Sequence, residues 1–182
     1  LNFLNSKSSD ENAAAIREEL EENASKIVTT LDNFGVKTKI VNYTRGPTVT
    51  RYEIAPEKGV RVKSISSLSD DIALNLAAEG IRIESPIPGK SAVGIEVPNK
   101  TTSIVYLKDL LAKDKFQNAK AVLTCAIGKS ISGEDIYVDI EKTPHLLVAG
   151  TTGMGKSVCI NSLLISLVYK ASPDDLRLIL VD

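Results

Sequence analysis

The sequence predicts an α/β chain in two parts, a compact α+β domain followed by the beginning of a parallel-sheet domain that is truncated. Three observations carry this. Residues 12–33 have their apolar side chains at helical spacing. Residues 36–97 then mix short alternating strands with one helix in no strict β-α-β order, the mark of an α+β domain. From residue 119 the texture changes, and the chain runs through a wholly apolar segment, a glycine-rich turn, a helix and a second apolar segment.

The first ten residues are polar and Ser-rich and are expected to fray. In the helix that follows, Ile16, Leu20, Ala24, Ile27, Leu31 and Phe34 recur at spacings of three and four, and Gly35 suits its C-cap. Residues 36–43 and 48–55 alternate in polarity and are rich in β-branched types, with the Arg45-Gly46-Pro47 turn between them, so they read as paired strands. Residues 60–62 suggest a third. Leu68, Ile72, Ala73 and Leu76 fit one face of a helix, with Ser69 or Ser67 as cap, Asp70 and Asp71 in the first turn, and Gly80 as the stop. Residues 81–83 and 93–97 alternate as strands around the turn of Pro86, Pro88 and Gly89. The expected divisions are a tail and helix over 1–34, an α+β domain over 35–118, and a second domain from 119 to 182.

In that second domain residues 121–127 and 136–140 read as strands flanking a loop, and residues 146–149 as a buried parallel strand. A helix is expected over 156–170, apolar over most of its surface and therefore covered on both sides, with Pro173 beyond its end. Residues 176–181 read as the next strand, completing a β-α-β unit. The sequence stops at Asp182, where two or three parallel strands could not cover both faces of their own sheet.

Composition narrows the functions. With 43% hydrophobic and 25% charged residues in 182, the chain resembles an ordinary globular protein, and no run approaches the eighteen or so apolar residues of a membrane span. No signal peptide is evident at its start. Cys125 and Cys159 sit in apolar settings without metal-ligand spacing and read as buried thiols of a reducing compartment. A net charge of −1 gives no global case for nucleic acid. Locally, Lys37, Lys39, Arg45, Arg51, Lys58, Arg61 and Lys63 outnumber Glu53 and Glu57, making residues 36–63 either a phosphate- or partner-facing surface or a solvated sheet face.

The segment from His145 to Ser157 carries the chemistry. Gly150, Gly155, Lys156 and Ser157 match G-x-x-x-x-G-K-[ST], with Thr151, Thr152, Gly153 and Met154 filling the loop and Val158 following it. Backbone N–H groups of such a loop and of the first helical turn point at phosphate oxygens, with the helix dipole behind them. Lys156 is placed to reach the β- and γ-phosphates as the catalytic cation, and the Ser157 hydroxyl to ligate a Mg²⁺ bridging them, so the expected cofactors are ATP and Mg²⁺. Asp182, at the end of an apolar run, has the form of a magnesium-orienting Walker B residue. It follows Lys156 by only one helix and one turn, however, and in many such ATPases that strand comes later.

The match extends well beyond the loop. Residues 46–53 (Gly-Pro-Thr-Val-Thr-Arg-Tyr-Glu), 71–74, 82–83, 87–90 (Ile-Pro-Gly-Lys), 94–99, Gly128-Lys129, Gly133, 144–147 and 150–157 all resemble, in order, the pattern of the FtsK/SpoIIIE family of bacterial DNA translocases. The resemblance implies that the first domain is that family's α domain and that residue 119 opens the RecA-like motor domain. It further implies a homo-hexameric ring around double-stranded DNA, working in chromosome segregation at division or sporulation. The motor region would lie in the cytoplasm of a membrane-anchored parent, with no membrane contact from these residues. By the same resemblance the Walker B pair lies downstream of Asp182, so this stretch alone would hold ATP without hydrolysing it. Met154 stands where the family usually has a small Ser. A protein-secretion or other ring ATPase of the same superfamily, or an assembly module with a structural nucleotide loop, are the alternatives. His145 reads as structural, and Lys90 as a turn lysine or a contact to a neighbouring subunit.

Overall fold

The structure, a computed structural model, describes residues 3–5, 13–143, 145–153 and 155–181. They fall into two units, one comprising residues up to 103 from the first long helix onward, together with 131–133, the other residues 104–130 and the remainder of the C-terminal stretch. The division therefore lies at 103/104, ahead of the expected 118/119. Residues 107–117 belong with the second unit because Leu110, Leu111 and Phe116 bury their side chains beside Ala126.

In the first unit α1 (Ala13–Asn33) forms where the apolar stripe predicted it. It ends in a Schellman arrangement, with Val36 N–H donating to Leu31 O at 2.9 Å and Gly35 N–H to Asp32 O at 2.8 Å. Ile27 and Leu31 are buried, whereas Phe34, beyond the helix end, lies 56% exposed and leaves the stripe. β1 (Thr38–Arg45) and β2 (Val49–Pro56) pair antiparallel through the expected turn. Asn99 pins that turn, its N–H donating to Thr48 O and its amide to Gly46 O. The third strand expected at 60–62 is instead the approach to a short helix, α2 (Val62–Ser66). One helical turn seats Ile65 fully in the core, which a three-residue run without a strand partner could not do.

Next, α3 (Ser69–Leu76) buries Ile72 and Leu76 but is not stopped by Gly80. Ala77 takes the left-handed conformation, φ 51° and ψ 39°, and Ala78 N–H closes the helix on Ala73 O. Neither Ser67 nor Ser69 caps its start; Leu68 occupies that position without a side-chain bond. β3 (Arg82–Glu84) and β4 (Val93–Pro98) complete an antiparallel sheet in the order β1-β2-β4-β3. Period-two alternation sorts its faces. Tyr52, Ile54, Val93, Ile95 and Val97 join the core of α1, α2 and α3, while Arg51, Glu53, Glu84 and Glu96 take the other face.

The second unit holds α4 (Leu107–Leu111), α5 (Asp114–Gln117), the hairpin β5 (Thr124–Lys129) with β6 (Asp135–Asp139), a 3₁₀ turn (Ile140–Lys142) and α6 (Lys156–Lys170). α6 occupies the predicted residues and packs along β5. Ser166 fastens the two: fully buried, its Oγ accepts from Ala126 N–H at 3.2 Å and donates to Ser162 O at 2.6 Å. Lys170 in the last turn donates to Phe116 O at 2.8 Å and lies over the Phe116 ring.

Two expectations fail in this unit. Residues 146–149 and 176–181 form no ladder, so both sheets among the described residues are antiparallel. A parallel strand gains its hydrogen bonds only from a neighbour, and these segments pair neither with each other nor with the hairpin. Without such a sheet α6 keeps apolar surface open: Leu167 is buried, while Val158 and Val168 are more than 60% exposed.

Candidate functional site

The loop of residues 150–157 leads directly into α6. Gly153 and Gly155 both lie in left-handed backbone, at φ 84° and 85°. A Cβ at either would meet no atom within 4 Å, so it is the backbone conformation and not lack of space that calls for glycine. Gly155 is the N-cap of α6 and offers no side-chain bond, which leaves the helix start open. The first intrahelical bond is Cys159 N–H to Gly155 O at 2.9 Å. The N–H groups of Lys156, Ser157 and Val158 precede it and point out of the helix end, where the dipole favours an anion.

Lys156 is half-buried, and its Nζ donates to Gly150 O at 2.5 Å and Thr151 O at 3.3 Å. The ammonium is thus folded back across the loop's own carbonyls. Thr151, Thr152 and Gly153 are exposed along the loop. Ser157 is exposed in the first turn, and its hydroxyl has no hydrogen-bond partner among the described residues. With Ile160, Asn161 and Leu164 it borders an open cleft of about 530 Å³ against residues 179–181, so the segment after α6 lies beside the face that carries Ser157. Met154 and Asp182 lie outside the described residues. The arrangement supplies backbone donors, one cation and one free hydroxyl, the chemical set that a polyphosphate with a divalent ion requires.

Ser157 contributes a single oxygen, and no group of three His, Cys, Asp or Glu side chains stands ready for a metal among the described residues. That fits Mg²⁺, which keeps much of its water and binds through phosphates plus one or two protein oxygens.

Other candidates are placed differently from the sequence expectation. Arg51 is not a free cation: it donates to Glu84 at 2.6 Å and to Glu96 at 2.7 Å, and Arg82 reaches Glu96 at 3.2 Å. Burial alone would raise the Glu96 pKa, but hydrogen bonds from Arg51 and Arg82 outweigh it and hold the carboxyl below its usual value. Lys90 pairs with the buried Glu53 at 2.6 Å, and Arg45 donates to Thr101 O. The basic stretch of 36–63 is therefore partly neutralised from within its own unit. His145 is exposed, Cys125 is a buried free thiol and Cys159 a half-buried one. The sequence reading missed a cavity of about 330 Å³ between α4, β5 and the start of α6, because the fold brings its walls together from stretches far apart in the chain.

Comparisons with known proteins agree with the sequence pattern. Residues 1–99 match the FtsK alpha domain, and residues 106–182 match the FtsK/SpoIIIE family. The DNA translocase FtsK of Clostridium acetobutylicum is 50% identical over 182 residues, covering all of this chain and 24% of that protein. FtsK of Clostridium tetani is 53% identical over the same length, again 24% of that protein. The DNA translocase SftA of Bacillus subtilis (strain 168) is 50% identical over 163 residues, covering 90% of this chain and 17% of that protein. Among solved structures, the monomer form of the pCW3 conjugation coupling protein TcpA with ATPγS aligns over 80% of this chain and 42% of that chain. Its TM-score is 0.36 at 18% identity, too slight a likeness to transfer any detail. The chain spans about a quarter or less of the length of these curated relatives, and it belongs to the FtsK/SpoIIIE family, its first 99 residues matching the FtsK alpha domain.

Proposed function

We propose that this chain is the nucleotide-holding part of an ATP-driven double-stranded DNA translocase that acts in chromosome segregation at division or sporulation. The observation that carries the reading is the junction of loop and helix at 150–158, where open N–H groups, a folded-back lysine and a free hydroxyl follow one another at the start of α6. Relatives about half identical along the chain bear the name DNA translocase, which supports duplex DNA as the substrate.

In this reading the backbone of Gly150, Thr151, Thr152, Gly153 and Gly155 would cradle the β-phosphate of ATP, with the N–H groups of Lys156, Ser157 and Val158 turned toward it. Lys156 exchanges its two carbonyl partners for β- and γ-phosphate oxygens. Because those carbonyls are neutral and the phosphates charged, the exchange would replace cation–dipole bonds with bonds between opposite charges. Ser157 would hold Mg²⁺, which would supply positive charge to offset that of the phosphates. Phosphoryl transfer rests on positioning and charge, so this chain contributes the cradle and the cation. Six such subunits would encircle the duplex as the cytoplasmic motor of a membrane-anchored protein; no described helix of this chain is long and apolar enough to cross a membrane.

Equilibrium binding of Mg²⁺-ATP to the chain tests the cradle. Binding by the wild type and its loss in Lys156→Ala are expected. A wild type that ignores ATP, or a variant that binds it equally well, would leave the loop a structural element.

A further inference from the structure

Residues 3–5 are grouped with the second unit, although α1, the next element in the chain, belongs to the first. Leu4 is what holds them there. It is half-buried and packs against the cluster of Leu110, Leu111, Phe116 and Ala126, while its neighbour Phe3 is 98% exposed. Two residues of that cluster, Leu110 and Ala126, also wall the cavity of about 330 Å³, whose other walls include Val158, Cys159 and Ser162 of α6.

We propose that residues 3–5 form a strap poised to close on this cavity, with Leu4 as its anchor and the ring of Phe3 as its plug. A lone exposed apolar side chain on a surface calls for no explanation. Phe3 differs because the residue beside it is already docked on residues that wall an apolar cavity. Successive Cα atoms lie about 3.8 Å apart, so rotation about the backbone bonds at residues 3 and 4 carries the ring inward while Leu4 stays in place. Size permits it, since an apolar cavity of about 150 Å³ is enough for benzene. The chemistry also matches: a phenyl ring gains from leaving water, from aliphatic walls and from contact with the Cys159 sulfur. Closure covers Cys159 and Val158, which is 68% exposed, in the first turns of α6. The inference holds whether or not the loop at 150–157 takes a phosphate.

The chain has no tryptophan, so Phe3→Trp supplies a single fluorescent reporter. Its emission should lie to the blue of free N-acetyltryptophanamide and its quenching by iodide should be several-fold weaker, and adding Leu4→Asp should abolish both effects. Cys159 gives a second readout on the native ring. Phe3→Ala should raise the rate of iodoacetamide labelling at Cys159 several-fold, followed by mass spectrometry. Cys125, fully buried and with its thiol pKa pushed up to about 11 by burial, serves as the unreactive control. A reporter as exposed as the free amide, together with Cys159 labelling indifferent to Phe3→Ala, would overturn the strap. Because indole is larger than phenyl, the Cys159 rate decides if the two readouts disagree.

Discussion

Replacing Ala77 with glycine should stabilise the first unit. Ala77 closes α3 in the left-handed region, at φ 51°, where its Cβ crowds the backbone at a cost of roughly 1–2 kcal/mol. The residue is exposed, so the methyl group contributes little burial in return. Glycine removes the strain but adds freedom to the unfolded chain, worth about 0.4–1 kcal/mol in the opposite direction. The net gain is about 0.5–1 kcal/mol, which in a unit of this size corresponds to a rise of about 2–8 °C in its melting temperature. Scanning calorimetry of the wild type and Ala77→Gly reads this directly, and Ala77→Val, which adds β-branching in the same conformation, should shift the transition downward. A lower melting temperature for Ala77→Gly would refute the strain argument and mean that Ala77 makes contacts which outweigh its backbone conformation.

Other perturbations follow from the same structure. Ser166→Ala leaves the buried Ala126 N–H without its acceptor and should destabilise the second unit by about 1–3 kcal/mol, visible as loss of amide-exchange protection along α6 and β5. Glu96 has a folded-state pKa below its unfolded value of about 4.5, so its contribution is present above that pH and is lost as pH falls through the folded value. Glu96→Gln should accordingly be less stable than wild type at neutral pH, with the difference shrinking in denaturant titrations below about pH 4.5. Lys156→Ala should fold normally, because among the described residues its polar contacts are with loop carbonyls alone, and a far-ultraviolet dichroism spectrum matching wild type checks this.

The elements most legible in the sequence were those whose signals are local. The stripe of α1, the Gly35 cap, the turn at 46–47 and the helix start at Lys156 each depend on residues within a few positions. Where the sequence misled, a longer-range partner decided. Val62 has strand propensity, but Ile65 three residues on had a core to fill, and the segment turned helical. Arg51 belonged to a basic stretch that read as either a phosphate- or partner-facing surface or a solvated sheet face, and the fold brought Glu84 and Glu96, distant in sequence, onto the same face to pair with it. Residues 146–149 and 176–181 have the composition of parallel strands, yet composition cannot supply the neighbouring strand that a ladder requires. At the candidate site the positions of Gly153 and Gly155 were legible because left-handed backbone calls for glycine, and α6 starts at Lys156 as expected. The adjoining cavity is lined from three elements distant in sequence, which no local pattern marks.

The most direct test of the central claim is steady-state ATP turnover by the full-length protein containing this chain, with and without linear duplex DNA, for wild type and Lys156→Ala. Turnover that rises with duplex DNA and disappears in the variant is the predicted result. Turnover indifferent to DNA would instead favour a motor that moves protein, and turnover untouched by Lys156→Ala would contradict the assignment of 150–157 as the working nucleotide site.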